Sequence, residues 1–167
     1  MARITVNTSG TFPHIYLSEN LTAVPAGDPL SPTGKLEVRC LQDITISNST
    51  GIFSWTDFCS PAINKLTTPA DNEISTNMVI DSVKFFGDTI TPGTGAALAG
   101  VDGISRSRTK VQFMVVMNGD DTTSGAQYYK GEGYITNIAP TVSPDSPVWV
   151  SPMTIAVTGA YEVNVIT

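Results

Sequence analysis

The chain has 167 residues, enough for a single domain with a real core. Its net charge is −6 and its nine Lys and Arg are scattered, which excludes a counterion-release grip on nucleic acid or an anionic membrane surface. No run approaches the roughly 18 apolar residues of a membrane-spanning helix.

Only 14% of the residues are charged, against about 25% in ordinary soluble domains. Two readings fit: neighbouring subunits cover much of the surface, or the surface is a Thr/Ser/Asn-rich β surface. The opening MARITVNTSGTF has no apolar segment of signal-peptide length, so folding in a cytoplasm is expected. Cys40 and Cys59 lack metal-type spacing and read as two buried thiols of a reducing compartment.

In chain order, residues 2–7 alternate as a short strand and residues 13–17 read as a second. Residues 21–34 hold Pro25, Pro29 and Pro32 with Gly27 and Gly34, a loop or arm too broken for a strand interior. Residues 35–47 give the cleanest strand signal. Leu36, Val38, Cys40, Ile44 and Ile46 fall on one face, Glu37, Arg39 and Asp43 on the other, and Leu41–Gln42 breaks the alternation, implying a bulge or bend.

Residues 48–77 read as a long, mostly irregular loop, with a helical turn at 60–66 started by Ser60 and Pro61. Its apolar residues Phe53, Trp55, Phe58 and Ile63 are candidate interface anchors, or a small satellite core of the loop itself. Residues 78–86, MVIDSVKFF, read as a strand covered on both faces, and residues 94–101 as a short helix. Gly93 and Gly95 are turn glycines, since no Lys-Ser/Thr follows them. Residues 109–117 form a core strand, and Asn118-Gly119 opens a turn in which Asp120 and Asp121 read as solvated acids.

Catalytic chemistry is hard to assemble. His14 is the only histidine, no nucleophile motif such as G-x-S-x-G is present, and no carboxylate pair stands out. No cofactor or metal is called for. The reading is a single all-β domain over 1–167, β-sandwich or barrel-like, with one or two short helices and a long loop.

The C-terminal run ties these elements to a known pattern. Residues 126–167 place a strand with G-x-x-Y-I-T-x-I (Gly131 to Ile138), a crossing with Val-x-x-Asp (Val142 to Asp145) and a strand ending in Val157-Thr158-Gly159. This resembles the tail tube proteins of long-tailed, siphovirus-like bacteriophages. The N-terminal strand, the strands at 35–47 and 77–88 around a long loop, and the 94–101 helix before a strand at 110–117 extend the likeness over most of the chain. The Pro-rich 21–34 segment and the two cysteines depart from the pattern.

The resemblance implies a virion tail protein, assembled in the host cytoplasm, forming hexameric rings that stack into a hollow tube. The 48–77 loop would reach the next ring, and DNA would only pass through. Implied partners are further copies of the chain, a tape-measure protein, a tail terminator and tail-tip proteins, with no membrane. Glu37, Asp43 and Asp81 are the lumen-facing candidates, an acidic wall that phosphate would slide past. Two other classes stay open: a head decoration or virion surface protein, and a carbohydrate-binding adhesin with Trp55, Trp149 and Tyr161 as its aromatic platform.

Overall fold

The computed structural model describes residues 13–18, 35–38, 40–57, 60–87, 100–144 and 148–166. They form β1 (His14–Ser18), β2 (Lys35–Val38), β3 (Leu41–Asp57), β4 (Ser60–Val79), α1 (Ser82–Phe86), α2 (Val101–Ser107), β5 (Val111–Val116), β6 (Gln127–Ile138) and β7 (Val150–Val165). All seven strands join one antiparallel sheet in the order β2-β1-β5-β6-β7-β4-β3.

That order forces the sheet to roll. Were it flat, its outermost strands would stand about 29 Å apart at ~4.8 Å per strand. Yet β2 ends at Val38 and β3 starts at Leu41, three residues on, a reach of at most about 11 Å. Cys40 makes the bend, with a left-handed φ of 58°. Val38 accordingly lines a small cavity together with Met78 and Val79 near the far end of the sheet and Phe85 of the following helix. The single strand expected over 35–47 is therefore two strands at opposite ends of the sheet order. The expected irregularity is also present, as a register shift between Leu41 and Asp43 that leaves Gln42 unpaired. Cys40 is exposed at this bend rather than buried.

Alternation puts the core inside the roll. Ile15, Leu17, Val38, Ile74, Met78, Val111, Phe113, Val115, Ile135, Met153 and Ile155 converge there, with Phe85, Val101 and Ile104 from the two helices. The opposite face of the central strands buries a second cluster, Tyr16, Met114, Val116, Ala126, Tyr128 and Ile166. β5 is thus buried along its whole length, as VQFMVV requires.

Three local expectations are corrected. Residues 78–86 are not one strand: β4 stops at Val79 and Asp81 caps α1, accepting from the amides of Val83 (2.9 Å) and Lys84 (3.0 Å). No helical turn occupies 60–66, because that segment pairs with β3. The helix expected to end at Val101 instead has its described turn starting there, and 94–99 lie outside the described residues, as do the expected 2–7 strand and 21–34 loop. Residues 150–165 are one strand. Gly159, at φ 80°, kinks it where its pairing with β6 shifts register between Lys130 and Glu132.

In the turn after β5, local hydrogen bonds favour the ionised form of Asp120. Its Oδ1 accepts from the Thr122 amide (2.9 Å), the Thr122 hydroxyl (2.7 Å) and the Thr123 hydroxyl (2.9 Å). The Thr122 and Thr123 bonds hold its carboxyl down at about 2. A depressed carboxyl stabilises the fold fully above its unfolded value near 4, and that contribution disappears as pH falls through about 2. Asp120→Asn keeps the amide acceptor and removes the charge. It is expected to lower the melting temperature slightly at pH 6 and to match wild type near pH 2. An Asn variant that trails wild type equally at both pH values would overturn this.

Candidate assembly surfaces

β3 and β4 are much longer than the body they leave. β4 pairs with β7 only from Glu73 to Val79, whereas β3 and β4 pair with each other from Leu41↔Met78 out to Asp57↔Ser60. Ten outer residues of β3 and thirteen of β4 therefore form a two-stranded ribbon, roughly 35–40 Å long at ~3.3 Å per residue. The long irregular loop expected over 48–77 is this ribbon. Its sequence looks irregular because every described side chain from 47 to 56 and from 65 to 71 is exposed, so neither strand shows one apolar and one polar face. Its pairing shifts register twice, between Trp55 and Asp57 and between Thr50 and Ile52, the latter opposite Thr68 and Pro69, where a proline is tolerated.

The ribbon is apolar on both faces. Phe53 and Trp55 point one way and stack on each other at 5.8 Å, with Leu66 opposite Phe53 across the strands. The other face carries Ile52 and Ile63. Phe53 is 60% exposed, Trp55 41% and Ile63 65%. Phe58 lies outside the described residues. Three of the four expected anchors thus stand exposed on one projecting element, split between its two faces. Ile52 and Leu66 escape a search for aromatics because they are isolated aliphatics in a Thr/Ser-rich run. A search for any large apolar residue in that run finds them.

A second surface runs across the outside of β3, β4, β7 and β6. Asp43, Thr45 and Ser47 lie level with Asn77, Ser75 and Glu73, and these with Pro152, Thr154 and Ala156. The strip is polar, carries the acids Asp43 and Glu73, and among these residues includes no Lys or Arg. Asp43 is fastened within it, accepting from the Asn77 amide (2.9 Å) and the Asn77 side chain (2.8 Å).

The other two acids expected beside Asp43 have different local tasks. Glu37 sits on β2 and meets His14 Nδ1 at 2.8 Å, and His14 stacks on Tyr16 at 6.0 Å. Asp81 is the helix cap described above. Sequence alternation puts all three in one set because it treats 35–47 and 78–86 as two continuous strands. Glu73 joins the strip instead, and the loop reading of 48–77 hides its neighbourhood. The aromatic platform for a glycan is not assembled either. Trp55 is on the ribbon, Trp149 precedes β7 at the other end of the sheet, and Tyr161 packs against Tyr129 at 5.7 Å beside the core.

A rolled antiparallel sheet, two short helices beside its seam and one long projecting ribbon is a specific shape. No protein-family model matches the chain, and no curated protein matches its sequence. Solved structures do. A chain of the six-fold symmetrised anti-feeding prophage baseplate superposes with a TM-score of 0.58 over 100% of this chain and 99% of its own, at 7% identity. A chain from the tail of an empty gene transfer agent particle, refined helically with C6 symmetry, gives 0.51 over 95% and 98%, at 14% identity. A chain of the anti-feeding prophage tube-terminating cap gives 0.52 over 99% and 94%, at 10% identity. The fold is that of phage-like tail particles. The match spans nearly all of this chain and of each of these neighbours.

Proposed function

We propose that this chain is the subunit of a phage-type tail tube: six copies close a ring, rings stack into a hollow tube, and DNA passes through the lumen without being bound. The observation that carries the reading is the two-faced apolar ribbon projecting from a tail fold. An isolated two-stranded ribbon is marginally stable, and exposed apolar surface of this kind marks a face that another molecule covers. The low charge content has the same explanation. Among the described residues the long strand β3 ends the sheet order; an open edge of that length invites aggregation, and closure with a neighbouring copy would cover it.

The polar strip of Asp43 and Glu73 suits the lumen wall, because acids without basic partners repel phosphate and leave it mobile. Such a protein carries out no reaction. Its work is assembly and passive conduction within a virion, beside the tape-measure, terminator and tip components that a tail needs.

The test is negative-stain electron microscopy of the purified protein over a range of concentrations, followed by reconstruction of the particles. Hollow tubes or six-fold rings are expected, with the Asp43 strip lining the channel. Monomers or trimers that bind a capsid would replace the tube with a head decoration role. Tubes with Asp43 on the outer wall would keep the assembly and reverse the lumen assignment.

A further inference from the structure

Among the described residues the ribbon is not the only exposed apolar surface. Val83 on α1, with Val142, Val148 and Trp149 ahead of β7, is exposed as well, Trp149 to 48%. Backbone bonds hold these segments side by side. The Ile80 amide donates to the Trp149 carbonyl at 2.9 Å, just before α1, and Thr141 and Val150 bond each other in both directions at 2.8 and 3.3 Å, which sets Val142 beside Trp149. Phe85, two residues after Val83, points into the core, so Val83 is on the outer side of its helix.

We infer that this patch is the socket for the ribbon of a second copy of the chain, receiving the Phe53, Trp55 and Leu66 face. The inference rests on the tube reading and specifies which surface the ribbon grips. Its basis is the direction of β4. The strand runs from the ribbon tip at Ser60 to Val79, and the patch begins at the next residues. Tip and patch thus lie at opposite ends of one continuous strand, roughly 60 Å apart at ~3.3 Å per residue. A copy cannot fill its own patch, because the strand between them holds them apart.

Each copy therefore offers one tip and one socket, pointing in opposite directions. Contacts of that kind are heterologous and do not close, so they extend into an open stack. Repetition along an axis is also how the gene transfer agent tail, with its helical refinement, is built. An isologous pairing of tip with tip would use the same apolar surface but would stop at two rings. The second face of the ribbon, Ile52 and Ile63, remains for a lateral neighbour.

The experiment mixes two variants. One has its tip disabled (Phe53→Asp with Trp55→Asp) and the other its socket (Trp149→Asp), with Val142→Lys as a second socket variant. All the altered residues are exposed, and circular dichroism checks that each variant is folded. Each variant alone is expected to lose tubes, with mean length falling about tenfold or more, as for hot-spot truncations. An equimolar mixture is expected to give particles of doubled mass, because the intact tip of one variant fits the intact socket of the other.

Normal tubes from both socket variants, with none from the tip variant, would overturn the socket and leave the ribbon as the stacking element. Normal tubes from all the variants would overturn the socket and the ribbon's role together. A mixture no heavier than its parts would likewise overturn the complementary contact.

Discussion

A protein in which residues 51–69 are replaced by a two-residue Asn-Gly turn is expected to fold normally and to make no tubes. The cut joins Thr50 to Ala70, which already face each other across the ribbon, and Asn-Gly supplies the twist that a two-residue hairpin requires. Everything that holds β4 to the body remains. Its pairing with β7 begins at Glu73, and Asn72, Ile74, Thr76 and Met78 stay buried. The described side chains lost are exposed apart from half-buried Asn64, and none belongs to either buried cluster. A longer cut, from 51 through 75, would delete Ile74 from the core and confuse loss of assembly with loss of folding. Long tubes from the shortened protein, made under conditions where the full chain makes them, would remove the ribbon from the stacking mechanism.

Phe113→Ala has the opposite signature. Phe113 is fully buried at the middle of β5, the strand covered on both faces, and its ring lies over Gly131 of β6, where an added Cβ would come within 2.8 Å of it. Truncating a buried Phe costs about 3–5 kcal/mol, from lost transfer energy and the cavity left behind. For a chain of this size that is a melting temperature lower by roughly 10 °C. Phe53→Ala, on the ribbon, should leave the melting temperature unchanged and impair tube growth. The two phenylalanines thus separate folding from assembly in one pair of variants. A drop of less than about 2 °C for Phe113→Ala would mean that the rolled interior is not the principal core.

What the sequence by itself determined is what local burial writes into local pattern. A strand with one covered face alternates, so β6 is legible at Gln127–Ile138. Alternation along β5 separates Val111, Phe113 and Val115 from Met114 and Val116, and the two buried clusters divide the strand in the same way. The irregularity at Gln42 and the turn at Asn118-Gly119 are legible for the same reason, since each breaks or punctuates a local rule. The C-terminal order of strands and glycines carries the likeness to tail tube proteins, and the tail fold bears it out.

Only the tertiary structure decided which strands are neighbours. Residues 35–47 keep one alternation almost throughout, yet a single left-handed residue at Cys40 sends β2 to one end of the sheet and β3 to the other. Pairing partners are chosen across the chain, and alternation along a strand holds no record of them. Asp81 has the residue type of a strand's polar face, and becomes a cap only because β4 ends two residues before it. The ribbon is hidden for the converse reason. It is regular β structure that its own chain leaves uncovered, so burial imposes no period on its sequence. Ile80 and Trp149 are far apart in the chain and are brought side by side only when the Ile80 amide meets the Trp149 carbonyl. Local pattern reports what a chain buries within itself, whereas which exposed residues share a surface is decided by the fold.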